Sequence, residues 1–245
     1  MNLVAQRSFL LLISVLAAVG FGWPLVFPTV GISQSQGAGW LTLALLPILA
    51  VLALALFQGQ TIGPRQIALL GILASTAAAT RIALSGVGGF ELIFVIIILG
   101  AAAIGPRFGF LLGATSVLIS SLFFGGIGPW TAFQVFAIGW VGLGAGLLKK
   151  HVNPRRIWPL AAYAFASSYV FGLIMNLWFW PFAIGPQTSL SYQPEASLSQ
   201  NLVSFLSYSL VSSTLSWDSV RAISSAVGIL LIGKPVLATL SRYRF

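Results

Sequence analysis

Long apolar runs separated by short polar or glycine-rich breaks dominate the pattern along the chain. A membrane-spanning helix needs about 20 mostly apolar residues, whereas the strands of a membrane barrel alternate over about 10 residues. No such alternation is present, so the pattern predicts helices. We place about eight of them, over residues 8–27, 40–57, 66–84, 90–104, 108–124, 130–148, 157–180 and a final run that ends near residue 240.

The two ends of the chain need separate interpretation. The first run has the length of a signal peptide, but no small-x-small cleavage site follows it, so we predict an uncleaved span. The last run exceeds one span, since residues 187–217 are rich in Ser, Gln and Tyr while residues 219–240 have the length of a helix. We therefore predict a short external or re-entrant helix over 198–215, then a last span that Asp218 caps at its N-terminus.

Composition supports an all-α integral membrane protein. Of the 245 residues, 58% are hydrophobic and 6% are charged, and the mean hydropathy is +1.00, far too apolar for a soluble domain. The absence of cysteine excludes disulfides and thiolate catalysis. A net charge of +9 would suggest nucleic acid in a soluble protein, but here it bears on topology, and we expect no nucleic-acid partner.

Charge placement favours a cytoplasmic N-terminus, because basic residues accumulate in cytoplasmic loops. With eight spans both termini are cytoplasmic, and ten of the twelve basic residues fall on the inner side. The remaining two, Arg81 and Arg221, fall toward the external side together with Glu91, Glu195 and Asp218. Ionisable groups within or beside spans are costly and are more often functional than decorative.

Aromatic, amide and charged side chains gather at the predicted external end. The set comprises the one-turn pairs Trp130/Gln134 and Asn176/Trp180, Asp218 with Arg221, and, by the topology, Arg81 and Glu91. Such groups at one end of a helical bundle suit a planar or amphipathic solute. Two alternatives remain, because aromatic residues at span ends can form an interface belt and Asp218 with Arg221 can form a structural ion pair.

Glycine-rich and small-residue segments mark two further features. The break at residues 125–129 exposes backbone groups that protein or water must satisfy, so it is either a tight surface turn or, as we favour, a cavity wall. On the third predicted helix, Gly71/Ser75 and Ala74/Ala78 are four residues apart, which allows another helix to approach closely. Packing within the bundle and docking of a separate membrane subunit both remain open for this stripe.

Candidates for catalysis are few. The only histidine, His151, follows Lys150 in a basic loop and cannot form a metal site alone. No Gly-x-Ser-x-Gly sequence, Walker-type loop or pair of carboxylates on one helix face occurs. The sequence therefore predicts no enzyme, cofactor or metal site, and an ATP-driven process must use the motor of another chain.

Several motifs of the chain occur together in one family of membrane proteins. They are the small-residue helix that ends at Arg81, Gly86-Val87-Gly88-Gly89-Phe90-Glu91, Gly105-Pro106-Arg107-Phe108-Gly109-Phe110, Gly128-Pro129-Trp130-Thr131-Ala132-Phe133-Gln134 followed by Gly142 and Gly146, and the late runs Trp217-Asp218-Ser219-x-Arg221-Ala222 and Leu231-x-Gly233-Lys234-Pro235. Over about residues 66–245 the chain resembles the substrate-binding S component of energy-coupling factor transporters. The Gly-Pro-Trp-Thr-x-Phe-Gln motif is the most specific part of this resemblance.

The resemblance implies a vitamin-capture subunit of the plasma membrane. Its six-helix core would occupy residues 61–245, and an additional two-helix hairpin at residues 1–60 would precede it. The solute, for which a corrinoid is one candidate, would bind externally under the loop Leu84–Phe90, and a transmembrane coupling subunit with two ATPases would drive release. The resemblance places Trp130 and Gln134 at the chamber floor and makes Ala74 and Ala78 the docking pair. Together with the polar set and the small-residue stripe above, the predicted substrate-binding residues are Arg81, Phe90, Glu91, Trp130, Gln134, Asn176, Trp180, Asp218 and Arg221, and the predicted docking residues are Gly71, Ala74, Ser75 and Ala78.

A self-sufficient secondary carrier or small-solute channel is the alternative. Coupling to protons or sodium usually needs an intramembrane carboxylate, for which Glu91 and Asp218 are the only candidates. A membrane enzyme or scaffold subunit is a third class.

Overall fold

The computed structural model describes residues 3–26, 48, 63–185 and 188–242. These residues form helices and one isolated bridge between Asn153 and Arg156, with no strand among them. The elements are α1 (Leu3–Phe21), α2 (Trp23–Val26), α3 (Pro64–Ala83), α4 (Ile93–Ile104), α5 (Pro106–Phe123), α6 (Pro129–Leu147), a 3₁₀ turn (Leu148–Lys150), α7 (Trp158–Ala183), α8 (Leu198–Ser209), a π-helical segment (Leu210–Asp218) and α9 (Ser219–Arg242). The predicted second span, 40–57, lies outside the described residues apart from residue 48.

Five helices in the described part of the chain are long and apolar enough to cross a membrane. They are Pro64–Ala83, Pro106–Phe123, Trp130–Lys150, Trp158–Ala183 and Leu198–Leu240, and the shorter stretches Leu12–Phe21 and Ile93–Ile104 are also apolar. The prediction of an all-α membrane protein is thereby confirmed. The total of eight spans and the S-component core stay predictions.

The C-terminal segment differs from its prediction. From α8 through the π-helical segment into α9 the helical backbone is continuous, and its apolar stretch Leu198–Leu240 contains 43 residues. A separate helix over 198–215 is therefore wrong, and Asp218 lies inside a helix and caps none. No Gly or Pro occurs between Leu198 and Val227, so no residue there breaks a helix. The serine-rich polarity of this segment was mistaken for a boundary.

The chain divides into two compact units. Unit 1 comprises Met1–Thr61 and Gly172–Leu215, and unit 2 comprises Ile62–Phe171 and Ser216–Phe245. The predicted boundary between residues 60 and 61 lies outside the described residues and stays a prediction. Residues 172–215, which we predicted to belong to the six-helix core, group with the N-terminal segment.

Unit 1 has an aromatic core. Trp180 is fully buried, its ring centroid lies 5.3 Å from that of Tyr192 and 5.6 Å from that of Phe205, and its Nε1 donates to the carbonyl of Leu190 at 2.7 Å. Burial raises the pKa of the Tyr192 hydroxyl, which lies in the loop before α8. This packing connects the end of α7 to α8 and to the intervening loop.

Unit 2 is built around α4, in which nine of the twelve residues are buried. This helix packs against α3, α5, α6 and α9. Glycines bring α5 and α6 into backbone contact, since a Cβ atom on Gly113 would lie 2.7 Å from the carbonyl oxygen of Ile138, and Gly109 and Gly142 face each other. Close glycine-mediated approach is a common way for membrane helices to associate. In unit 2 this close approach sets the distance between α5, which carries Ser120, and α6, which carries Gln134.

Candidate functional site

A buried ion-pair cluster surrounds Arg221 near the start of α9 in unit 2. Its Nη1 donates to Asp218 Oδ1 at 2.7 Å and its Nη2 to Glu91 Oε1 at 3.0 Å. The guanidinium carbon lies 4.9 Å from the ring centroid of Phe171 and 5.6 Å from that of Phe94. Charged partners and aromatic faces together replace the water that this cation loses on burial. We name this set the Arg221 cluster.

A second cluster surrounds Arg81 at the C-terminal end of α3. Its Nη1 donates to Ser120 Oγ at 2.6 Å and its Nη2 to Gln134 Oε1 at 2.8 Å. Ser120 is fully buried on α5 and Gln134 lies in the second turn of α6, so the guanidinium connects three helices. Both acceptors are neutral, and Arg81 makes no ion pair with any carboxylate in the described residues. We name this set the Arg81 cluster.

The loop between α3 and α4 lies next to both clusters. It starts after Arg81 and leads to Glu91, and Gly86, Gly88 and Gly89 in it have positive φ angles of 88°, 37° and 84°. A Cβ atom on Gly89 would lie 2.8 Å from the Cα of Trp217, so the position needs glycine for both its conformation and its space. The loop is thus packed on the backbone just before α9.

Trp130 and Phe90 add exposed aromatic surface to unit 2. Trp130 is 42% exposed and lies one turn before Gln134 on α6, and Phe90 is 36% exposed at the end of the glycine loop. The preceding turn is exposed throughout residues 122–127, and Thr131 Oγ1 accepts a hydrogen bond from the Gly128 N–H at 3.0 Å. This arrangement is a tight surface turn and not the cavity wall that we favoured.

Two predicted site residues belong to unit 1. Asn176 Nδ2 donates to Ser209 Oγ at 2.9 Å and to Ser213 Oγ at 2.7 Å, which connects α7 to α8 and the π-helical segment. Trp180 is enclosed in the aromatic core described above, and its N–H already has an acceptor. Trp180 therefore contributes to the packing of unit 1, and its binding role stays a prediction.

The small-residue stripe on α3 separates into two faces. Ala74 and Ala78 are 0% and 1% exposed, so they pack within the chain, whereas Gly71 and Ser75 are exposed. A Cβ atom on Gly71 would meet nothing within 4 Å. Docking through Ala74 and Ala78 is therefore not available in this structure, and the internal-packing alternative holds for these two residues. Gly71 and Ser75 remain accessible.

Other basic residues of unit 2 lie at the helix ends opposite to the two arginine clusters. Arg65 lies in the first turn of α3, and Arg81 lies in its last turn. Arg107 lies in the first turn of α5, which carries Ser120 near its other end. Lys149 follows α6, which has Trp130 in its first turn. Lys149 Nζ donates to the carbonyl of Ile104 at 2.8 Å, which satisfies a group at the end of α4. Unit 2 therefore has one end with mixed charges and amides and one end that is basic.

Sequence reasoning missed several members of both clusters. Ser120 was overlooked because a serine in an apolar helix often bonds only its own backbone. The other missed residues are Phe94 on α4 and Phe171 and Ser168 on α7. The carbonyl oxygen of Ser168 lies 3.4 Å from Arg221 Nη1. Contacts between different helices leave no local pattern in the sequence. The position of Phe94 three residues after Glu91 was the one sequence signal that could have placed its ring near the ion pairs.

No protein-family profile, curated protein or solved structure matches this chain. Function must therefore be argued from the geometry of the clusters and from the sequence motifs.

Proposed function

We propose that this chain is the membrane-embedded substrate-capture subunit of an ATP-driven energy-coupling factor importer, which binds a vitamin or related micronutrient at the extracellular side. The observation that carries the proposal is the concentration of polar groups at one end of unit 2. Arg81, Gln134 and Ser120 come together there from three different helices. The basic opposite end corresponds to the cytoplasmic side under the positive-inside rule.

The arrangement of carboxylates favours capture over secondary transport. Asp218 and Glu91 both pair with Arg221, so each carboxylate already has a cation as its partner. A carboxylate that loads and releases a proton or sodium during transport has to leave such a partner, at considerable cost in a buried site. Energy for release of the solute is therefore assigned to ATPases and a coupling subunit in other chains.

Identification of the bound solute tests the proposal directly. The chain is purified in mild detergent, the small molecules that remain bound are extracted, and mass spectrometry identifies them. We expect a stoichiometric micronutrient. When the chain alone is reconstituted in liposomes, it binds this solute and does not accumulate it. Uptake by the lone chain that Glu91→Gln abolishes would instead establish the secondary carrier.

Docking of the coupling subunit is assigned to the exposed face of α3 around Gly71 and Ser75. Gly71→Trp and Ser75→Trp should reduce assembly with coexpressed coupling and ATPase subunits and leave solute affinity unchanged, because both positions are exposed. Leu231→Trp, at another exposed position on α9, is the matched control. If all three variants assemble like the wild type, this face of α3 is not the docking site.

A further inference from the structure

The Arg81 guanidinium has unused hydrogen-bonding capacity. A guanidinium carries five N–H donors in a planar fork, and in Arg81 the described acceptors are Ser120 Oγ and Gln134 Oε1, one on each terminal nitrogen. Both are neutral oxygen atoms, so they orient the group without supplying an opposite charge. Glu91 acts on Arg81 electrostatically, but its carboxylate is hydrogen-bonded to Arg221.

The comparison with Arg221 shows a cation of the same unit whose bonded partners are charged. Arg221 has a carboxylate on each terminal nitrogen and an aromatic ring on two sides. Arg81 has the same side chain and a position near a helix end, yet its two partners carry no charge. A cation that is partly withdrawn from water and has no carboxylate bonded to it binds an anionic oxygen group strongly, most effectively through paired N–H donors.

The cluster is also fixed in place before a ligand arrives. Ser120 is fully buried, and α5 and α6, which carry Ser120 and Gln134, are held at backbone contact by glycines. A receptor whose geometry is preorganised loses less entropy on binding. Trp130, one turn from Gln134 and 42% exposed, offers aromatic surface for the apolar part of a solute.

We infer that the Arg81 cluster is the receptor for a carboxylate or phosphate group of the captured solute. The inference rests on the proposed function and specifies the chemical class of its substrate, a small anionic micronutrient. The same anionic chemistry occurs in phospholipid headgroups, so the test has to separate the two sources.

Matched pairs of probes that differ in one anionic group provide the test. The delipidated protein in uncharged detergent is titrated with nicotinate against nicotinamide, biotin against biotinamide, pantothenate against panthenol, and pyridoxal phosphate against pyridoxal, with calorimetry as the readout. Hydrogen bonds to charged groups contribute about 1.5–3 kcal/mol, so we expect the anionic member of the recognised pair to bind about 10- to 100-fold more tightly.

Three variants assign the effect to the cluster. Arg81→Gln removes the charge and should abolish the difference within the pair. Gln134→Glu is nearly isosteric and places a carboxylate on the guanidinium, so it should weaken the anionic probe at least as much while leaving the fold intact, which guards against misfolding of Arg81→Gln. Arg156→Gln, at an exposed arginine of the basic end, should retain the difference.

Each outcome separates the inference from the proposed function. Binding of an uncharged or cationic solute that Arg81→Gln leaves unchanged overturns the inference and keeps solute capture. Failure to bind any solute, together with an Arg81-dependent phospholipid detected by native mass spectrometry, keeps the anion receptor and overturns capture. Binding of neither solute nor phospholipid overturns both.

Discussion

The two arginine clusters of unit 2 differ in what surrounds the same side chain. Arg221 is paired with Asp218 and Glu91, and the rings of Phe94 and Phe171 lie within 5.6 Å of its guanidinium carbon. Arg81 is held only by a serine and a glutamine among the described residues. On the inference above, the charged partners give the first cluster a structural role, and the second is the one proposed to bind an external group. An intramembrane charge is therefore a candidate for function only after its partners are known.

Removal of the Arg221 charge should have the largest effect on stability. Arg221→Met leaves Asp218, whose side chain is 2% exposed, without its cation. Removal of one partner of a buried pair costs about 3–5 kcal/mol of stability. Thermal unfolding in detergent, followed by tryptophan fluorescence, should therefore show a large decrease in the unfolding temperature. The control Arg156→Met should unfold like the wild type, and equal stability of Arg221→Met would contradict the structural role.

Disruption of the scaffold should affect the Arg81 cluster through its helices. Gly142→Leu places a side chain against the backbone of Gly109, so α5 and α6 must separate and carry Ser120 and Gln134 apart. Overpacking of this kind typically costs about 1–3 kcal/mol. We expect lower stability together with weaker binding of the anionic probe.

Gly71→Leu is the matched control for this substitution, because its side chain would enter open space. It should change neither stability nor binding. A Gly142→Leu variant that keeps wild-type stability would show that the glycine contact does not hold the two helices together.

The two carboxylates of the Arg221 cluster should contribute unequally. Asp218 has a side chain that is 2% exposed, whereas that of Glu91 is 28% exposed. Hydrogen bonds to charged groups contribute about 1.5–3 kcal/mol when buried, and partly hydrated ion pairs about 1 kcal/mol or less. Asp218→Asn should therefore lower the free energy of unfolding more than Glu91→Gln. The reverse order would assign Glu91 the larger structural share.

The smallest expected effect concerns the neutral acceptor of Arg81. Ser120→Ala removes one hydrogen bond from the guanidinium and should cost about 1 kcal/mol. Chemical or thermal unfolding measures this loss, and Ser116→Ala provides a control because, among the described residues, its hydroxyl donates to the carbonyl of Leu112 on its own helix. If the two variants lose equal stability, the bond between Ser120 and Arg81 has no measurable net effect.

Much of the fold was readable from local pattern. Apolar run lengths predicted α3 to α7 to within about three residues, since hydrophobic length and Gly-Pro breaks are local properties of a membrane helix. The same reasoning failed at Asp218, where serine-rich composition was taken as a helix boundary although no helix-breaking residue is present. Polarity alone does not end a helix when partners such as Asn176 satisfy the hydroxyls.

The candidate site was readable only in part. Arg81, Gln134, Glu91, Asp218 and Arg221 were identifiable because ionisable and amide groups are rare in apolar runs. Which of them pair depends on helices that are distant in sequence, as in the contact between Arg221 and Glu91, 130 residues apart. Trp180 looked like a ligand contact from its spacing and proved to be buried.

The sequence by itself determined a helical membrane protein with its charges divided between two ends. The length of an apolar run and the position of charges beside it depend only on residues that are neighbours in sequence. Only the tertiary structure decided that Arg221 pairs with two carboxylates while Arg81 bonds to a serine and a glutamine. The small-residue stripe was likewise divided into the buried Ala74 and Ala78 and the exposed Gly71 and Ser75. Ion pairing and burial depend on distances between side chains of different helices, and helix packing alone sets those distances.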